Sequence, residues 1–446
     1  MWPMVMLGLG YLTPSVVFDT FGMASRDSQG HVPTAYALTL FAMIFTAISY
    51  GRMVRVDSSA GSSYSYALKT LGTHVGFMVG WLSLLDYLLL PMINVLLAKQ
   101  YLSVIFPSVP AWIWIIGVTG LITIINIRGI ESTASINSYF VYFQIAIVLV
   151  FIVLCIWHLS QDAPAANIFS LEPFYNSNFA FASIVSGATV LCFSFLGFDA
   201  VSNYVEEAKN PHDVVWAIIL TAVIGGGIFI VASYFTQLVF PDITSFKDVE
   251  NSTAPDISFY IGGKIFQIVF LFASIAGVFA SGLASHASVS RLLYVMGRDT
   301  ALPPRIFAYI SPRFFTPVYN ILIVAIVCLS SFFFSLENGI YSISFGSLIA
   351  FSFVNISSLV YYIRSREKIS VKQFMMHVFV PIIGFSVIVV LWLHIKGPAF
   401  FLGIVWGIIG IVYWFIIRHY LAKKTKIYTK TLRANPSIAS DNNIKL

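Results

Sequence analysis

Three acidic side chains lie inside long apolar stretches of the sequence, namely Asp19, Asp86 and Asp199. A carboxylate in the hydrocarbon of a bilayer costs at least about 2.5 kcal/mol, so acids at such positions indicate a functional site. No basic residue lies within a helical turn of Asp86, where it would neutralise the charge. The three acids therefore predict a site that attracts cations. Each acid could instead cap a helix end or accept hydrogen bonds from neighbouring helices.

The residues next to these acids offer polar and aromatic groups to a cationic ligand. A diamine needs an anionic or strongly polar partner at each end, and aromatic ring faces attract ammonium groups. Because 16% of the chain is aromatic, most of its rings are expected to serve packing. The candidates for substrate contacts beside the acids are Thr13, Ser15, Tyr87, Ser194, Phe195 and Gly197.

The composition places these residues in a membrane protein. The chain is 58% hydrophobic and 10% charged, with a mean hydropathy of +0.86, which the surface of a water-soluble domain of this length does not accommodate. The apolar runs are long and continuous, so they predict helices rather than the strands of a barrel. The sequence thus predicts an all-α integral membrane protein with about twelve transmembrane helices. They are expected near 3–24, 34–54, 74–104, 110–128, 133–158, 180–205, 212–240, 263–296, 317–336, 340–363, 376–395 and 398–421.

The distribution of basic residues predicts the orientation in the membrane. Most of the 25 Lys and Arg residues fall on one side when the spans are threaded through a bilayer, and that side is the cytoplasm by the positive-inside rule. Both termini are then cytoplasmic, including a tail at 422–446. The first residues lack the cationic region of a cleaved signal peptide. A short polar segment is expected to be missing upstream, and Ser62 to Leu71 are expected to form a short interfacial helix.

The two halves of the chain contain related interruptions. Gly8, Gly10 and Pro14 interrupt the first span, Gly187 and Gly197 interrupt the sixth, and a Phe-Asp pair follows each break. Broken helices at matching places in two halves indicate a transporter built from inverted repeats, although glycine can also serve close packing. We expect a single transporter domain over 1–421. Repeat one covers about 3–158, repeat two about 180–363, and two extra helices about 376–421.

Several longer stretches resemble the amino acid-polyamine-organocation superfamily, and within it the bacterial putrescine importers. The stretches that carry the resemblance include Leu84–Leu88, Cys192–Ala200 and Ser281–Asp299. The resemblance implies a five-plus-five inverted-repeat core of the LeuT type followed by two more helices. It also implies a substrate site between spans one, three, six and eight, and a location in the bacterial inner membrane. Asp199 stands where polyamine carriers of this superfamily hold the substrate amine.

The break in the first span differs from that of amino acid carriers in the superfamily. Those carriers usually have a Gly-Ser-Gly type break whose free N–H groups receive the substrate carboxylate, whereas this chain has Thr13, Pro14 and Ser15. Because proline has no N–H group, that anion site is at least partly lost. The sequence favours import of a small cationic polyamine, in the first instance putrescine. The alternative is an amino acid permease or an amine/amino acid exchanger of the same fold.

Energy coupling has three candidate residues on the eighth span: Ser281, Ser285 and His286. The serine hydroxyls could bind a sodium ion, and His286 could carry a proton near neutral pH. Small residues at these positions are also expected where helices pack closely. We favour proton symport.

Other functional classes receive less support from the sequence. It contains no His-Asp-Ser cluster within the spans, no metal motif and no glycine-rich phosphate loop, so we expect neither an enzyme nor a cofactor. A channel does not need broken helices in two related halves. The net charge of +6 is attributed to membrane orientation rather than to nucleic-acid binding. The expected partners are the amine, a proton and the lipid bilayer.

Overall fold

The structure is a computed structural model that describes residues 1–57, 62–129, 134–162, 169–208, 210–246, 248–365, 374–395 and 397–434. Within these residues the chain is helical and contains no β-strand. The helices are α1 Trp2–Leu12, α2 Val16–Ser28, α3 Val32–Val56, α4 Ser62–Leu71, α5 Thr73–Ile105, α6 Ala111–Arg128, α7 Ala134–Asp162, α8 Phe181–Leu191, α9 Pro211–Val239, α10 Ala254–Arg298, α11 Pro304–Phe307, α12 Val318–Leu329, α13 Leu336–Ser365, α14 Val380–Trp392 and α15 Gly397–Ala434.

The apolar helices confirm the prediction of an all-α multi-pass membrane protein. Among the described residues, 10 helices are long and apolar enough to cross a membrane, and counting the bent pair α1–α2 as one span raises this number to 11. The shorter apolar helix Val318–Phe332 coincides with the predicted ninth span. Each of the twelve predicted spans therefore matches an apolar helical segment. Helix α4 has the bounds that the sequence predicted.

The last helix differs from its predicted extent. It continues to Ala434, beyond the predicted end of the span near 421, because Lys and Arg residues there leave the bilayer without interrupting the helix. The final part of the predicted tail, 435–446, lies outside the described residues. The cytoplasmic location of both ends stays a prediction.

Two spans are broken, after Leu12 in the first and after Leu191 in the sixth. Gly8, Gly10 and Gly187 were wrongly predicted as interruptions, because they lie inside regular helices and allow close contact with neighbouring side chains. Helices α1 and α2 meet at 49°, and between them Thr13 adopts a φ of 58° while Pro14 cannot donate to the helical ladder. In the sixth span α8 gives way to a short 3₁₀ turn, Cys192–Phe195, and helical structure resumes at Ala200–Glu207. Gly197 between them has a φ of 113°. The division of the chain into two inverted repeats stays a prediction.

The broken spans lie at the centre of the bundle. Helix α1 packs against α7, α9 and α10, whereas α2 packs mainly against α8 and α3. The most extensive contacts join α3 to α9 and α5 to α10 and α13. The peripheral helices expose apolar side chains, for example Val153 and Phe415. This arrangement, with polar breaks inside and hydrocarbon outside, is the one that a bilayer requires.

Candidate functional site

The break in the sixth span brings the backbone of α8 and its continuation against the end of α1. Gly197 lies against the ring of Tyr11, and an added Cβ would overlap that ring. The positive φ of Gly197 also belongs to a region that other residues rarely adopt. Its N–H group lies 3.3 Å from Asp199 Oδ1 and donates to it. Glycine at this position therefore lets two unwound segments meet and orients the acid.

Asp199 is buried and is held by hydroxyl groups from two other helices. Tyr87 of α5 and Tyr50 of α3 donate to Oδ2 over 3.1 Å and 3.4 Å. The side chain is 4% exposed. Among the described residues, no basic side chain forms an ion pair with it. A buried carboxylate without a cationic partner is costly and is stabilised by a bound cation.

Asp86 lies beside this acid and lacks the same support. It precedes Tyr87 on α5, is 4% exposed, and interacts electrostatically with Asp199. The backbone at Asp86 packs tightly on Gly346 of α13, where an added Cβ would lie 2.6 Å from the Asp86 nitrogen. Within the described part of the chain, no hydrogen bond to the Asp86 carboxyl group is present. If both carboxyl groups are charged they repel each other, which is unfavourable unless a proton or a cation is shared between them.

Asp19 faces a separate, narrow cavity between the two breaks. Its Oδ1 accepts hydrogen bonds from Tyr101 of α5 and from Ser252, while its buried Oδ2 has no hydrogen-bond partner among the described residues. Thr13 and Ser281 line the same cavity. Its volume is about 10 Å³, about the space of one water molecule. The structure is therefore closed around this site, and helices must move before an amine of any length can enter.

One face of α5 connects the acids and contains residues that the sequence analysis missed. Asp86, Leu90, Asn94, Leu97 and Tyr101 follow one another at intervals of three or four residues, and the middle three line the cavity. Such spacing places side chains on a single helix face. The polar residues at these intervals are the signal that would have identified Asn94 and Tyr101 from the sequence.

The remaining predicted residues divide into those at the cavity and those away from it. Ser281 Oγ donates to the Tyr11 carbonyl over 2.9 Å and lies 3.2 Å from Asn94 Nδ2. Ser15 instead donates to Gln144 of α7, a buried polar residue that the sequence analysis did not single out. Ser194 lies 3.0 Å from the Tyr36 hydroxyl.

Three further candidates belong to the packing around the site. Phe195 packs on Phe229, with ring centroids 5.5 Å apart. Ser285 donates to the Gly282 carbonyl of its own helix, and His286 Nε2 lies 2.9 Å from the Ile321 carbonyl of α12. None of the three lines the central cavity. Ser281 is therefore the one predicted coupling residue that the structure places at the cavity.

A polar cluster joins the end of α2 to the start of α13. Arg26 contacts Glu337 and also lies 3.1 Å from Asp27 Oδ1, while Tyr341 donates to Asp27 over 2.7 Å. We call Arg26, Asp27, Glu337 and Tyr341 the α2–α13 latch. It connects a broken span to a helix that packs on α5, so we expect it to stabilise the closed conformation at the predicted outer end.

Replacing Glu337 by glutamine is expected to loosen the latch. A partly exposed ion pair contributes about 1 kcal/mol, which corresponds to about a fivefold change in an opening equilibrium. A cysteine introduced at Leu97 should therefore react about five times faster with an impermeant maleimide in the Glu337→Gln background. Glu172→Gln, at an exposed position, is the matched control and should leave the rate unchanged. Equal rates in all backgrounds would show that the latch does not control access.

The sequence of this chain is similar to those of known membrane transporters. Residues 11–417 match the family model described as amino acid permease. Over 413 residues the chain is 44% identical to the low-affinity putrescine importer PlaP of Escherichia coli (strain K12), and the match covers 92% of this chain and 91% of that protein. It is 40% identical to the probable low-affinity putrescine importer PlaP of Klebsiella pneumoniae over 178 residues, which are 40% of this chain and 90% of the relative. Across an alignment of 454 positions, gaps included, it is 26% identical to the methylthioribose transporter of Bacillus subtilis (strain 168), with 94% of each chain covered.

Proposed function

We propose that this chain, which belongs to the amino acid permease family, is a secondary transporter that imports a small cationic amine, in the first instance putrescine. The observation that carries the proposal is Asp199, a buried carboxylate beside unwound backbone that receives hydrogen bonds but pairs with no basic side chain among the described residues. An ammonium group supplies the charge that this position lacks. The 44% identity to a putrescine importer supports the same substrate.

The backbone of the first break supports an amine rather than an amino acid. An α-carboxylate would need free N–H groups at the start of α2. Pro14 has none, and the N–H groups of Val16 and Phe18 donate to the carbonyls of Thr13 and Ser15 over 2.9 Å and 3.1 Å. Two acids lie close to the breaks instead: Asp19 in α2, after the first break, and Asp199 in the sixth span, after the second. The site therefore has acidic partners for two ammonium groups but few free N–H groups for the carboxylate of a zwitterion.

The carboxylate count suggests how the substrate crosses the bilayer. Three acids are buried near the two breaks: Asp19 lines the closed cavity, while Asp86 and Asp199 lie outside its lining. No basic side chain pairs with any of them in the described part of the chain. A doubly protonated diamine neutralises two of these charges. A proton on the third acid would leave the closed site neutral, which is the least costly state within the membrane. Import by alternating access then carries amine and proton together.

Asp86 is the residue that we assign to the proton. It has no hydrogen-bond donor in the described residues, whereas Asp199 has three, so Asp199 is better stabilised as the anion that binds the amine. The charged group that interacts with Asp86 is Asp199, and the surrounding ionisable side chains are Tyr50 and Tyr87. His286 is committed to the Ile321 carbonyl. We therefore assign proton coupling to the acid pair, while the candidates on the eighth span stay predictions.

Replacing Asp86 by asparagine should uncouple transport from the proton gradient. One pH unit supplies about 1.4 kcal/mol per proton, so proteoliposomes containing the unmodified protein should accumulate about ten times more putrescine for each unit of inward gradient. The Asp86→Asn variant should still exchange labelled for unlabelled putrescine but should not respond to the gradient.

His286→Gln is the matched control, because it removes a titratable group that does not line the cavity, and it should keep the response. An imposed sodium gradient should drive neither protein. A normal response of the Asp86 variant to pH would place the coupling proton on another group. Accumulation driven by sodium would overturn proton symport itself.

The substrate class is tested by competition. Uptake of labelled putrescine should be reduced by other short diamines and should not be reduced by neutral or cationic amino acids at the same concentration. If amino acids compete as well as diamines do, or exchange for putrescine across the membrane, the chain is an amino acid permease or an amine/amino acid exchanger of the same fold.

The membrane location proposed for the protein is the bacterial inner membrane, with both termini in the cytoplasm.

A further inference from the structure

A second cavity opens at the end of the bundle where α5 begins and α10 ends. It has a volume of about 330 Å³ and shares no lining residue with the central cavity. Its walls include Tyr64 of α4, His74 and Phe77 of α5, Asp299 after α10, and Trp414 of α15. Small-molecule sites usually have volumes of about 300 to 1,000 Å³. The cavity is therefore large enough for a small ligand or for the headgroup of a lipid.

The aromatic wall of this cavity is fixed by its own contacts. The rings of Phe77 and Trp414 are stacked, with centroids 4.4 Å apart. The Trp414 Nε1–H group donates to His74 Nδ1 over 3.0 Å, so this nitrogen of His74 acts as an acceptor. Tryptophan and tyrosine are enriched at the level of the lipid headgroups, and Trp414 and Tyr64 both line this cavity. The wall thus presents ring faces of the kind that lie near charged headgroups.

The opposite side of the cavity carries a carboxylate. Asp299 Oδ2 accepts a hydrogen bond from the Tyr64 hydroxyl over 3.3 Å. Its Oδ1 lies 3.7 Å from Arg298 Nε, which is longer than a hydrogen bond, and the Arg298 side chain is 54% exposed. Solvent therefore screens much of that ion pair. Asp299 Oδ1 accepts no hydrogen bond among the described residues, so a cationic ligand has only the solvent-screened Arg298 to compete with.

We propose that the cavity lined by Tyr64, His74, Phe77, Asp299 and Trp414, here named the amine cavity, binds a primary ammonium group. The carboxylate supplies the opposite charge, and the ring faces attract the cation through their quadrupoles. An anionic ligand would meet Asp299 and would be repelled. A phosphatidylethanolamine headgroup or a free diamine presents the required ammonium group.

Helix α4 connects the amine cavity to the central site. Ser62 Oγ, at its start, lies 3.3 Å from the Tyr87 hydroxyl and 3.4 Å from Ser202 Oγ, and Tyr87 donates to Asp199. Two residues further on, Tyr64 lines the amine cavity and packs against Gly80 of α5. A ligand held by Asp299 and Tyr64 would keep α4 on α5 and slow its movement away from Asp199. This regulatory consequence rests on the proposed function, whereas the binding of an ammonium group does not.

Binding is tested with purified full-length protein reconstituted in nanodiscs that contain phosphatidylethanolamine and phosphatidylglycerol. Native mass spectrometry should find phosphatidylethanolamine retained in preference to phosphatidylglycerol. Asp299→Asn and Trp414→Leu should each reduce that retention about tenfold. Glu172→Gln and Trp157→Leu change residues of the same kinds at exposed positions, so both should retain the lipid as the unmodified protein does. Thermal melting of each variant reports whether it is folded.

Titration with free putrescine identifies the source of the ammonium group. Displacement of the lipid, or binding of putrescine where the lipid does not bind, assigns the cavity to a free amine, while retention at saturating putrescine assigns it to the lipid. Equal retention of both lipids without putrescine binding, or full retention by folded Asp299→Asn, would overturn the proposal. The same binding measurements are repeated in the Asp199→Asn background. Because they require no uptake, they test the amine cavity even if the proposed transport function is wrong.

Discussion

Replacing Asp199 by asparagine is expected to lower putrescine uptake about a hundredfold at substrate concentrations below KM. The substitution keeps the size of the side chain, replaces one of its two acceptor oxygens by an NH2 group, and removes the charge that faces the amine. A hydrogen bond between charged groups in a buried site contributes about 3 kcal/mol, and each 1.4 kcal/mol corresponds to about a factor of ten. The loss should appear mainly as a higher KM, because substrate binding is what the charge supports. Initial rates of labelled putrescine uptake in proteoliposomes measure it.

The stability of the variant separates a binding defect from a folding defect. Because Asp199 is a buried acid without a basic partner in the described residues, removing its charge should leave the melting temperature unchanged or slightly higher. Glu172→Gln, on the exposed segment before α8, is the control for loss of one acidic side chain. Unchanged uptake by a folded Asp199→Asn protein would remove the amine site from this position.

Replacing Gly197 by alanine is expected to reduce both transport and stability. The residue has a φ of 113°, which costs a non-glycine residue on the order of 1–3 kcal/mol. The new methyl group would also overlap the Tyr11 ring, and overpacking of this kind costs about 1–3 kcal/mol more. The two broken spans would have to separate. We expect a clear fall in the melting temperature in detergent and an uptake rate at least about tenfold lower.

Gly227→Ala is the matched control for this substitution. Gly227 lies in α9, and an added Cβ there has no atom within 4 Å, so alanine should be tolerated and should favour the helix. If Gly197→Ala retains the stability and uptake of the unmodified protein, the unwound segment does not depend on this glycine. Reduced uptake at full stability would instead show that the backbone at Gly197 acts directly in transport.

The positions of the helices could be predicted because the bilayer imposes a simple rule on the sequence. A span needs about 20 apolar residues, and each predicted span matches an apolar helical segment. The breaks could be predicted as well, since Pro14 and Gly197 alter the backbone locally, and the structure has non-helical geometry at Thr13 and Gly197. The extent of the last helix was missed because charged residues end a span without ending a helix.

The roles of individual polar residues were harder to predict. Asp19, Asp86 and Asp199 have similar apolar surroundings in the sequence. In the structure Asp19 accepts hydrogen bonds from Tyr101 and Ser252, and Asp199 accepts them from Tyr50 and Tyr87. Asp86 has no hydrogen bond to its carboxyl group among the described residues. Their partners come from distant parts of the chain. Ser281, Ser285 and His286 illustrate the same limit, because only the first is at the cavity although the three lie within six residues on one helix.

The sequence by itself determined that this chain is a multi-pass helical membrane protein with two interrupted spans and buried negative charge, because those properties depend on local composition and backbone chemistry. The tertiary structure decided which acid is supported by hydroxyl groups, which one lies unsupported beside it, and which hydroxyl groups turn away from the cavity. These differences arise from the rotation of each helix about its axis and from contacts between residues far apart in the chain. Helix packing, rather than the order of residues along one span, sets both.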